Sequence, residues 1–406
     1  MHLAARVVDA SAQKGRTLDG EIARAFRAAK GLDDAARAEL LAVVDRAIKR
    51  RALYARALSL LPFDARKEGV VLCALVDGAH ASPLPTEDVR ALREALARAR
   101  ELDDDARAAL ESPAPAWLRA RLSSSMGEAR AREIVRAFGR AAPLTLRANS
   151  QKGTRAALAE RLLHDGIASR PCARAPHGLV VDERVPVRRT RAFQEGLFEV
   201  QDEGSQLVAI AAGARPGAVV VDACAGAGGK TLALADDMEN TGTLYAFDTH
   251  AGRLSSLRER ARRADVHNIR VHALDDAGRR AQKRLAGSCD VVLVDAPCSG
   301  SGTLRRAPDL GAKLDERDVA RLTHTQDAIL DACAPLVAPG GRLVYATCSL
   351  LDDENGARAA RFLSAHADFV AAPLAGGFFD DRTSFTLAPD VDETDGFFVA
   401  AFERRR

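Results

Sequence analysis

The second half of the chain alternates short apolar segments with longer charged segments, and this alternation restricts the fold more than any other feature. From Gly204 onward the apolar runs are rich in Val, Leu and Ile, and they comprise Val219–Asp222, Thr243–Asp248, Ile269–Ala273, Asp290–Asp295 and Arg342–Thr347. Strands that alternate with helices form a parallel sheet with helices on both faces. We therefore predict an α/β fold with a doubly wound, Rossmann-like sheet, closed by an antiparallel hairpin within Phe378–Phe402.

The chain before this sheet divides into two further parts. Ala, Leu, Arg and Glu dominate 18–61 and 87–110, with apolar residues at helical spacing, which predicts an all-α domain over residues 1–125. Residues 126–203 combine a strand-like run, a helical run and several turns, which predicts a small α+β module. The sheet domain then occupies residues 204–406.

Composition excludes several classes of protein. The 406 residues exceed what one core usually holds, and 47% hydrophobic with 28% charged residues is typical of a globular protein. No stretch of 18 apolar residues predicts a membrane span, and no apolar region near the N-terminus predicts a secretory signal. The odd number of scattered cysteines, without a C-x-x-C pair, predicts no disulfide framework, no metal site and a reducing compartment. We expect a cytoplasmic monomer that does not attach to a membrane.

Positive charge is concentrated in one segment of the chain. The net charge of +3 is too small to identify a nucleic-acid-binding protein, but 147–191 holds ten Lys or Arg against four Asp or Glu. Such a segment can contact phosphates. The alternative is a solvated, arginine-rich surface, and the charge count alone does not separate the two.

A glycine-rich loop follows the first predicted strand of the sheet. The sequence Asp222-Ala-Cys-Ala-Gly-Ala-Gly-Gly-Lys-Thr231 lets a ligand approach the backbone at the start of a helix. The glycine spacing does not match the dinucleotide motif. It also does not match the phosphate-binding loop, because Cys224 stands where the first glycine of that motif belongs.

Carboxylates stand at the ends of the following strands. Asp248 ends the second strand, where a carboxylate can bind a ribose hydroxyl pair. Asp275 follows the third strand and is placed to reach an adenine amino group, and Asp295 ends the fourth. This set suits a nucleoside with a positively charged sulfonium. The alternative is that some of these aspartates cap helices.

Two cysteines follow neighbouring strands. Cys298 comes after the fourth strand and Cys348 after the fifth, each beside turn residues. Because the carboxyl ends of parallel strands line one crevice, both cysteines should face the same cleft. A thiolate that attacks carbon 6 of cytosine makes carbon 5 nucleophilic enough to take a methyl group from a sulfonium, and a base then removes the carbon-5 proton. Asp295 is placed to assist near ring N3.

The motifs resemble those of the RsmB/Sun (Fmu) family of RNA cytosine-5 methyltransferases, in family order over residues 115–406. The matching strings are Leu146–Asn149, Gln201–Gln206, Asp222–Thr231, Asp295–Gly302 with Arg305–Asp309, Thr347–Ser349, Glu354-Asn355 and Gly396–Phe398. Two departures occur. Gly311-Ala312 replaces the usual Lys-Trp pair, so an aromatic contact is missing, and Thr249-His250 replaces a more acidic pair after Asp248.

The resemblance implies a role for each matched segment. Cys348 would be the nucleophile, Cys298 would assist in proton removal or product release, and 126–203 would be an RNA-binding module. The residues implied to hold S-adenosylmethionine are Cys224, Ala225, Gly226, Ala227, Gly228, Gly229, Lys230, Asp248, Asp275 and Asp295. The predicted RNA contacts are Arg147, Asn149, Lys152, Arg188, Arg189, Arg305 and Arg306.

The sequence leaves several alternatives for the substrate. Small-subunit rRNA is our first prediction, because bacterial members of the family mostly resemble enzymes that act on it. The catalytic motifs do not separate rRNA from tRNA. An RNA-binding assembly factor that has lost catalysis, or a small-molecule methyltransferase, fits less well with the two cysteines.

Overall fold

In the computed structural model, the chain forms two units. The first contains Met1–Ala141 with Thr303–Glu316, and the second contains Ala142–Gly302 with Arg317–Arg406. The segment Thr303–Glu316 therefore interrupts the second unit in sequence and packs within the first. The residues that the structure describes are 1–29, 31–61, 68–182 and 185–406. In these ranges, no helix combines the length and the apolar character that crossing a membrane requires.

The first unit contains helices and no strand in its described residues, which confirms the predicted N-terminal helical region. Its helices are α1 (His2–Ser11), α2 (Leu18–Ala28), α3 (Asp34–Lys49), α4 (Arg51–Ser59), α5 (Gly69–Asp77), α6 (Thr86–Ala99), α7 (Asp104–Leu110), α8 (Ala116–Met126) and α9 (Glu128–Gly139). Asp33 caps α3 by accepting the Ala36 N–H. The apolar faces meet in a core that includes the fully buried side chains of Leu53, Tyr54 and Leu92.

A four-stranded antiparallel sheet opens the second unit. Its strands are β1 (Leu144–Ala148), β2 (Ser169–Pro171), β3 (Gly178–Val181) and β4 (Phe198–Val200), in the order β2-β3-β1-β4. The helices α10 (Arg155–His164) and α11 (Arg191–Gln194) accompany it. Leu146, Leu158, Leu162, Leu179 and Phe198 form its core. The limits at residues 125 and 203 between the predicted domains stay predictions.

The larger sheet confirms the predicted Rossmann-like fold. Its strands are β5 (Val219–Asp222), β6 (Thr243–Asp248), β7 (Ile269–Ala273), β8 (Cys289–Asp295), β9 (Val337–Thr347), β10 (Phe369–Ala371), β11 (Ser384–Leu387) and β12 (Phe397–Arg404). The order is β10-β12-β9-β8-β5-β6-β7, with β11 paired to β12. Strands β5 to β9 pair in parallel, and β12 pairs antiparallel with β9 and with β11. The antiparallel closure of the sheet is therefore as predicted.

Helices cover both faces of this sheet. They are α12 (Glu203–Ala212), α13 (Gly229–Asp237), α14 (Ala251–Ala264), α15 (Asp276–Lys283), α16 (Glu316–Cys333) and α17 (Gly356–Ala365). Successive strand residues join cores on opposite faces, as Val220 and Leu293 do on one face and Val221 and Val292 on the other. Burial on both faces explains why the strands appear in the sequence as continuous apolar runs.

A buried ion pair joins the small sheet to the large one. Arg147 in β1 donates to Asp236 Oδ2 in α13 and to Gln201 Oε1, each at 2.8 Å. Ser150 Oγ also donates to Asp236. Arg147 is 5% exposed and Asp236 is 6% exposed. Removing one partner of such a pair leaves an uncompensated charge inside the protein, which is strongly destabilising.

We expect Arg147→Ala to lower the free energy of unfolding by about 3 kcal/mol, because Asp236 would lose its cation. Urea denaturation measures this change. Arg253→Ala, at an exposed position of α14, is the matched control and should change stability by less than about 0.5 kcal/mol. A stable Arg147→Ala protein with weakened RNA affinity would instead support the predicted RNA contact.

Candidate active site

The glycine-rich loop between β5 and α13 is held from beneath by two buried carboxylates. Asp222 Oδ2 accepts the Thr231 hydroxyl at 2.7 Å, and its Oδ1 accepts the Cys224 N–H at 3.3 Å. Burial raises the pKa of Asp222 to about 7. Asp248 Oδ2 accepts the Gly226 N–H at 2.8 Å. A Cβ added at Gly226 would meet no atom within 4 Å, so the loop leaves open space on its outer side.

Two of the aspartates that are predicted to bind the cofactor differ in their surroundings. Asp248 is 7% exposed, ends β6 and also accepts the His250 N–H at 2.7 Å. Asp275 is exposed and accepts the Gly278 N–H at 2.9 Å, so it caps α15. This backbone hydrogen bond is the main cause that lowers the pKa of Asp275. The capping alternative thus applies to Asp275, while Asp248 lies against the glycine-rich loop.

A lysine in the first turn of α13 pairs with the carboxylate that ends β8. Lys230 Nζ lies 2.8 Å from Asp295 Oδ2 and 5.0 Å from the centre of the Phe397 ring. Burial is the largest single influence and would lower the pKa of Lys230, but Asp295, with smaller contributions from Cys348 and Asp222, outweighs it and the pKa is raised. The ammonium therefore stays charged. It fixes the Asp295 carboxylate at the edge of the glycine-rich loop.

The two predicted cysteines meet. Cys298 Sγ and Cys348 Sγ lie 3.3 Å apart, and both side chains are partly exposed. The contact with Cys348 and burial raise the pKa of Cys298 well above its ordinary value. Cys224, Cys289 and Cys333 also have a raised pKa, and burial is its main cause. The sequence therefore predicted the one close pair of thiols that the described residues contain at this edge of the sheet.

Backbone contacts fix the spacing of the two cysteine turns. Gly302 N–H donates to Cys348 O at 3.0 Å, and Gly396 N–H donates to Gly302 O at 2.8 Å. A Cβ at Gly302 would lie 2.3 Å from Gly396 O, so both positions require glycine. The start of β12 is thereby bound to the turn after β8.

Hydroxyl and amide groups support the same turns. Ser349 Oγ lies 3.3 Å from Ser299 Oγ and 3.0 Å from Ser301 Oγ. Thr347 Oγ1 donates to Asn355 Oδ1 at 2.5 Å, and Asn355 Nδ2 donates to Ser349 O at 2.9 Å. These buried, satisfied hydrogen bonds rigidify the turns. Asn355 belongs to the Glu354-Asn355 motif, for which the sequence predicts no role.

The side chains predicted to contact RNA lie in different settings. Arg147 and Asn149 are buried, and Asn149 Nδ2 donates to Gly196 O and Ala264 O. Lys152 Nζ donates to Glu195 O and Arg263 O. The intramolecular bonds of these three residues favour a role in holding the small sheet against α13 and α14. Arg188, Arg189 and Arg306 are exposed, whereas Arg305 is buried. Their contacts with RNA stay predictions.

The donor set suits a nucleoside sulfonium. The open space beside Gly226 admits a ligand to the backbone, and Asp248 and Asp295 bring negative charge to its two sides. The first residues of α13 add free N–H groups. S-adenosylmethionine fits these groups, with a partly exposed thiol pair at the same edge of the sheet. In the described residues, no group of three or more His, Cys, Asp or Glu is placed to hold a metal ion.

Two family models match the chain. The model described as "16S rRNA methyltransferase RsmB/F" matches residues 209–403. The model described as the ferredoxin-like domain of RsmF/B-like methyltransferases matches residues 114–188. Together they account for the large sheet and for most of the small one.

Curated relatives extend the match over nearly the whole chain. The ribosomal RNA small subunit methyltransferase B of Xanthomonas campestris is 32% identical over 98% of this chain and 95% of its own length. The probable ribosomal RNA small subunit methyltransferase B of Synechocystis is 33% identical over 71% of this chain and 66% of its own length. The names of these relatives specify rRNA and do not mention tRNA.

Solved structures agree with the fold. The crystal structure of PH0851 superposes with a TM-score of 0.81 at 25% identity, over 99% of this chain and 98% of the other. NSun6 from Pyrococcus horikoshii with SFG has a TM-score of 0.63 at 20% identity, over 72% of this chain and 98% of the other, and shows the fold alone. The chain belongs to the RsmB/F family of S-adenosylmethionine-dependent rRNA cytosine methyltransferases, as its motifs implied.

Proposed function

We propose that the protein methylates carbon 5 of a cytosine in small-subunit rRNA through a covalent bond between Cys348 Sγ and carbon 6 of the base. One observation carries the proposal: the two sulfurs lie 3.3 Å apart where β8 and β9 end. A nucleophile and a second proton-transferring group are thereby within reach of one base. A DNA-type enzyme needs only the cysteine of the Pro-Cys motif, and the second thiol supports the RNA class.

The chain's residues divide the reaction between them. Cys348 attacks carbon 6 as a thiolate, the carbon 6–sulfur bond forms, and electron density moves to carbon 5 and N3. N3 takes up a proton from solvent, and Asp295, held by Lys230, assists there because its carboxylate accepts a hydrogen bond from the N3–H group; N3 returns this proton to solvent when the base is released. S-adenosylmethionine supplies a methyl group on a positively charged sulfur. Cys298 then takes part in removing the carbon-5 proton, after which the carbon 6–sulfur bond breaks and its electron pair returns to Cys348.

The glycine-rich loop and the carboxylates beside it are the proposed cofactor site. Cys224 to Lys230 would contact the cofactor through the backbone, Asp248 its ribose hydroxyls and Asp295 its charged end. Asp248 already uses two acceptor positions for the Gly226 and His250 N–H groups. A carboxylate has further lone pairs for hydroxyl donors. Asp275 can reach an adenine amino group only with the part of its carboxylate that does not cap α15.

The proposed RNA substrate is single-stranded or remodelled, because the target base must leave its stack to reach the thiols. Arg188 and Arg189 follow β3 in the second unit and are exposed, and they are the proposed phosphate contacts. The family and the names of the relatives favour rRNA over tRNA. The pair of thiols disfavours a protein that only binds RNA.

We expect the two cysteine variants to fail at different steps. Cys348→Ala should abolish methyl transfer and leave S-adenosylmethionine affinity unchanged, because only the nucleophile is lost. Cys298→Ala should accumulate an enzyme–RNA adduct, seen as a slow band on denaturing gels, because attack still occurs and release fails. Cys289→Ala, at a buried cysteine that begins β8 and so lies at the opposite end of the strand from the Cys298 turn, is the matched control. Near-normal turnover by Cys348→Ala would show that another residue attacks.

Asp248→Ala should weaken S-adenosylmethionine binding by about 1–3 kcal/mol, because the partners of a charged hydrogen-bond acceptor are left unmet. Isothermal titration calorimetry measures the affinity without any RNA. Asp276→Ala removes the same charge from an exposed position and should leave the affinity unchanged. An unaltered affinity of the Asp248→Ala protein would show that Asp248 does not bind the cofactor.

Bisulfite sequencing of total RNA from cells with and without the gene tests the substrate. We expect the loss of one protected cytosine in small-subunit rRNA, restored by the wild-type gene and not by the gene for Cys348→Ala. Loss in a tRNA would keep the chemistry and change the substrate. No loss in any RNA would contradict the proposed activity.

A further inference from the structure

A glutamate lies beneath the Cys298 turn with its carboxylate fully buried. Glu354 is 0% exposed. Its Oε1 accepts the Ser299 N–H at 2.9 Å and Gln326 Nε2 at 3.0 Å, and its Oε2 accepts the Ser299 hydroxyl at 2.5 Å. All of these donors are neutral. Among the described Lys, Arg and His residues, none forms an ion pair with Glu354, and the nearby Arg358 pairs with Asp327 instead.

These contacts clamp the residues on both sides of Cys298. Gln326 Nε2 donates to Pro297 O at 3.0 Å as well as to Glu354. Ser299, on the other side, is held through both its N–H and its hydroxyl. Gln326 is also fully buried, in α16. The orientation of the Cys298 thiol is therefore fixed by a charged group that does not touch the substrate.

Opposite charges flank the two sulfurs. Cys348 is near the Lys230 ammonium, and a charge on Cys348 helps to raise the pKa of that lysine after burial and Asp295 have had their larger effects. Cys298 is near Glu354, whose charge adds to the Cys348 contact and to burial in raising the pKa of Cys298. The other titratable groups nearby are the buried Tyr345 and an ion pair between Arg358 and Asp327, whose nearest nitrogen and oxygen lie 2.6 Å apart.

We propose that Glu354 is a positioning residue that clamps the Cys298 turn and, by its buried negative charge, keeps the proton on Cys298 until Cys348 is bonded to the base. The inference rests on the proposed roles of the two cysteines. Interacting thiols share their titration, and a nearby anion disfavours the second anion. The free enzyme then holds a thiol at Cys298 beside Glu354, while the Lys230 ammonium lies near Cys348.

The same arrangement orders the later steps. When Cys348 Sγ bonds to carbon 6, the sulfur loses its negative charge, and one cause of the high Cys298 pKa disappears. The pKa of Cys298 is then lower than in the free enzyme, although burial and Glu354 still hold it above that of an ordinary thiol. Cys298 releases its proton to solvent and accepts the carbon-5 proton of the methylated base. The proton balance of Cys298 closes, because the thiol gives one proton to solvent and receives one from carbon 5. Glu354 thus delays the use of Cys298 until Cys348 is bonded.

The test measures the ionisation of Cys298 in the full-length protein. The alkylation rate of Cys298 by iodoacetamide is followed between pH 6 and pH 10, about the range in which thiols titrate, with the Cys298 peptide quantified by mass spectrometry. The measurement uses Cys348→Ala, so that only one thiol of the pair remains. Methyl transfer is not needed, so a failure here is distinguishable from a wrong assignment of the nucleophile.

In the Cys348→Ala protein, Cys298 should react only at a pH above that of an ordinary thiol. Adding Glu354→Gln should move the midpoint down by about one pH unit or more, since a like charge is removed. Adding Asp352→Asn, an exposed acid two residues away, should leave the midpoint in place. Adding Ser299→Ala removes the hydroxyl that donates to Glu354 but keeps the Glu354 charge, so the alkylation midpoint of Cys298 should again be unchanged.

Two results would overturn the whole proposal, and a third would overturn the role of the charge. One is an unchanged midpoint in the folded Glu354→Gln variant, with folding checked by its melting temperature and its affinity for S-adenosylmethionine. The other is an ordinary thiol midpoint in Cys348→Ala itself, which decides the matter even if Glu354→Gln fails to fold. A midpoint that falls equally in Ser299→Ala would assign the effect to position alone and would also contradict the role of the charge.

Discussion

The parallel pairing of β8 with β9 is the interaction on which the active site depends. Its register sets Asp295 opposite Ala346, and the Ala296 N–H donates to Ala346 O at 2.8 Å just beyond. Both strands therefore end at one level, and the cysteines that follow within three residues meet. A slip of one residue would displace one thiol by about 3.3 Å and turn alternate side chains to the other face.

Buried polar groups under the site hold the loops that follow the strands. The carboxylates of Asp222 and Glu354 lie under the two catalytic loops, one below the glycine-rich loop and one below the Cys298 turn. Each is buried and satisfied mainly by neutral donors. Such groups are costly to bury and therefore rigidify the loops that satisfy them. Lys230 provides the opposite charge at the surface of the same site.

Much of this was predictable from the sequence, and the exceptions have a physical cause. The strands, the loop and the thiol pair follow from local patterns and from the rule that parallel strands share a carboxyl edge. Counting charges could not distinguish Arg147 in a buried ion pair from an arginine that faces solvent. Glu354 and Gln326 depend on partners 55 and 28 residues away, so no local pattern gives their role.

The segment Thr303–Glu316 has a consequence for how the chain is made. Leu18 N–H donates to Asp309 Oδ2, and Lys313 Nζ donates to Arg16 O, so residues near the start of the chain pack with a segment that is synthesised much later. Gly311 approaches Pro113 so closely that a Cβ would lie 1.9 Å from its carbonyl oxygen. The N-terminal helices therefore cannot reach their final packing during early translation, although N-terminal parts generally fold first. They must wait until the Cys298 turn has itself left the ribosome.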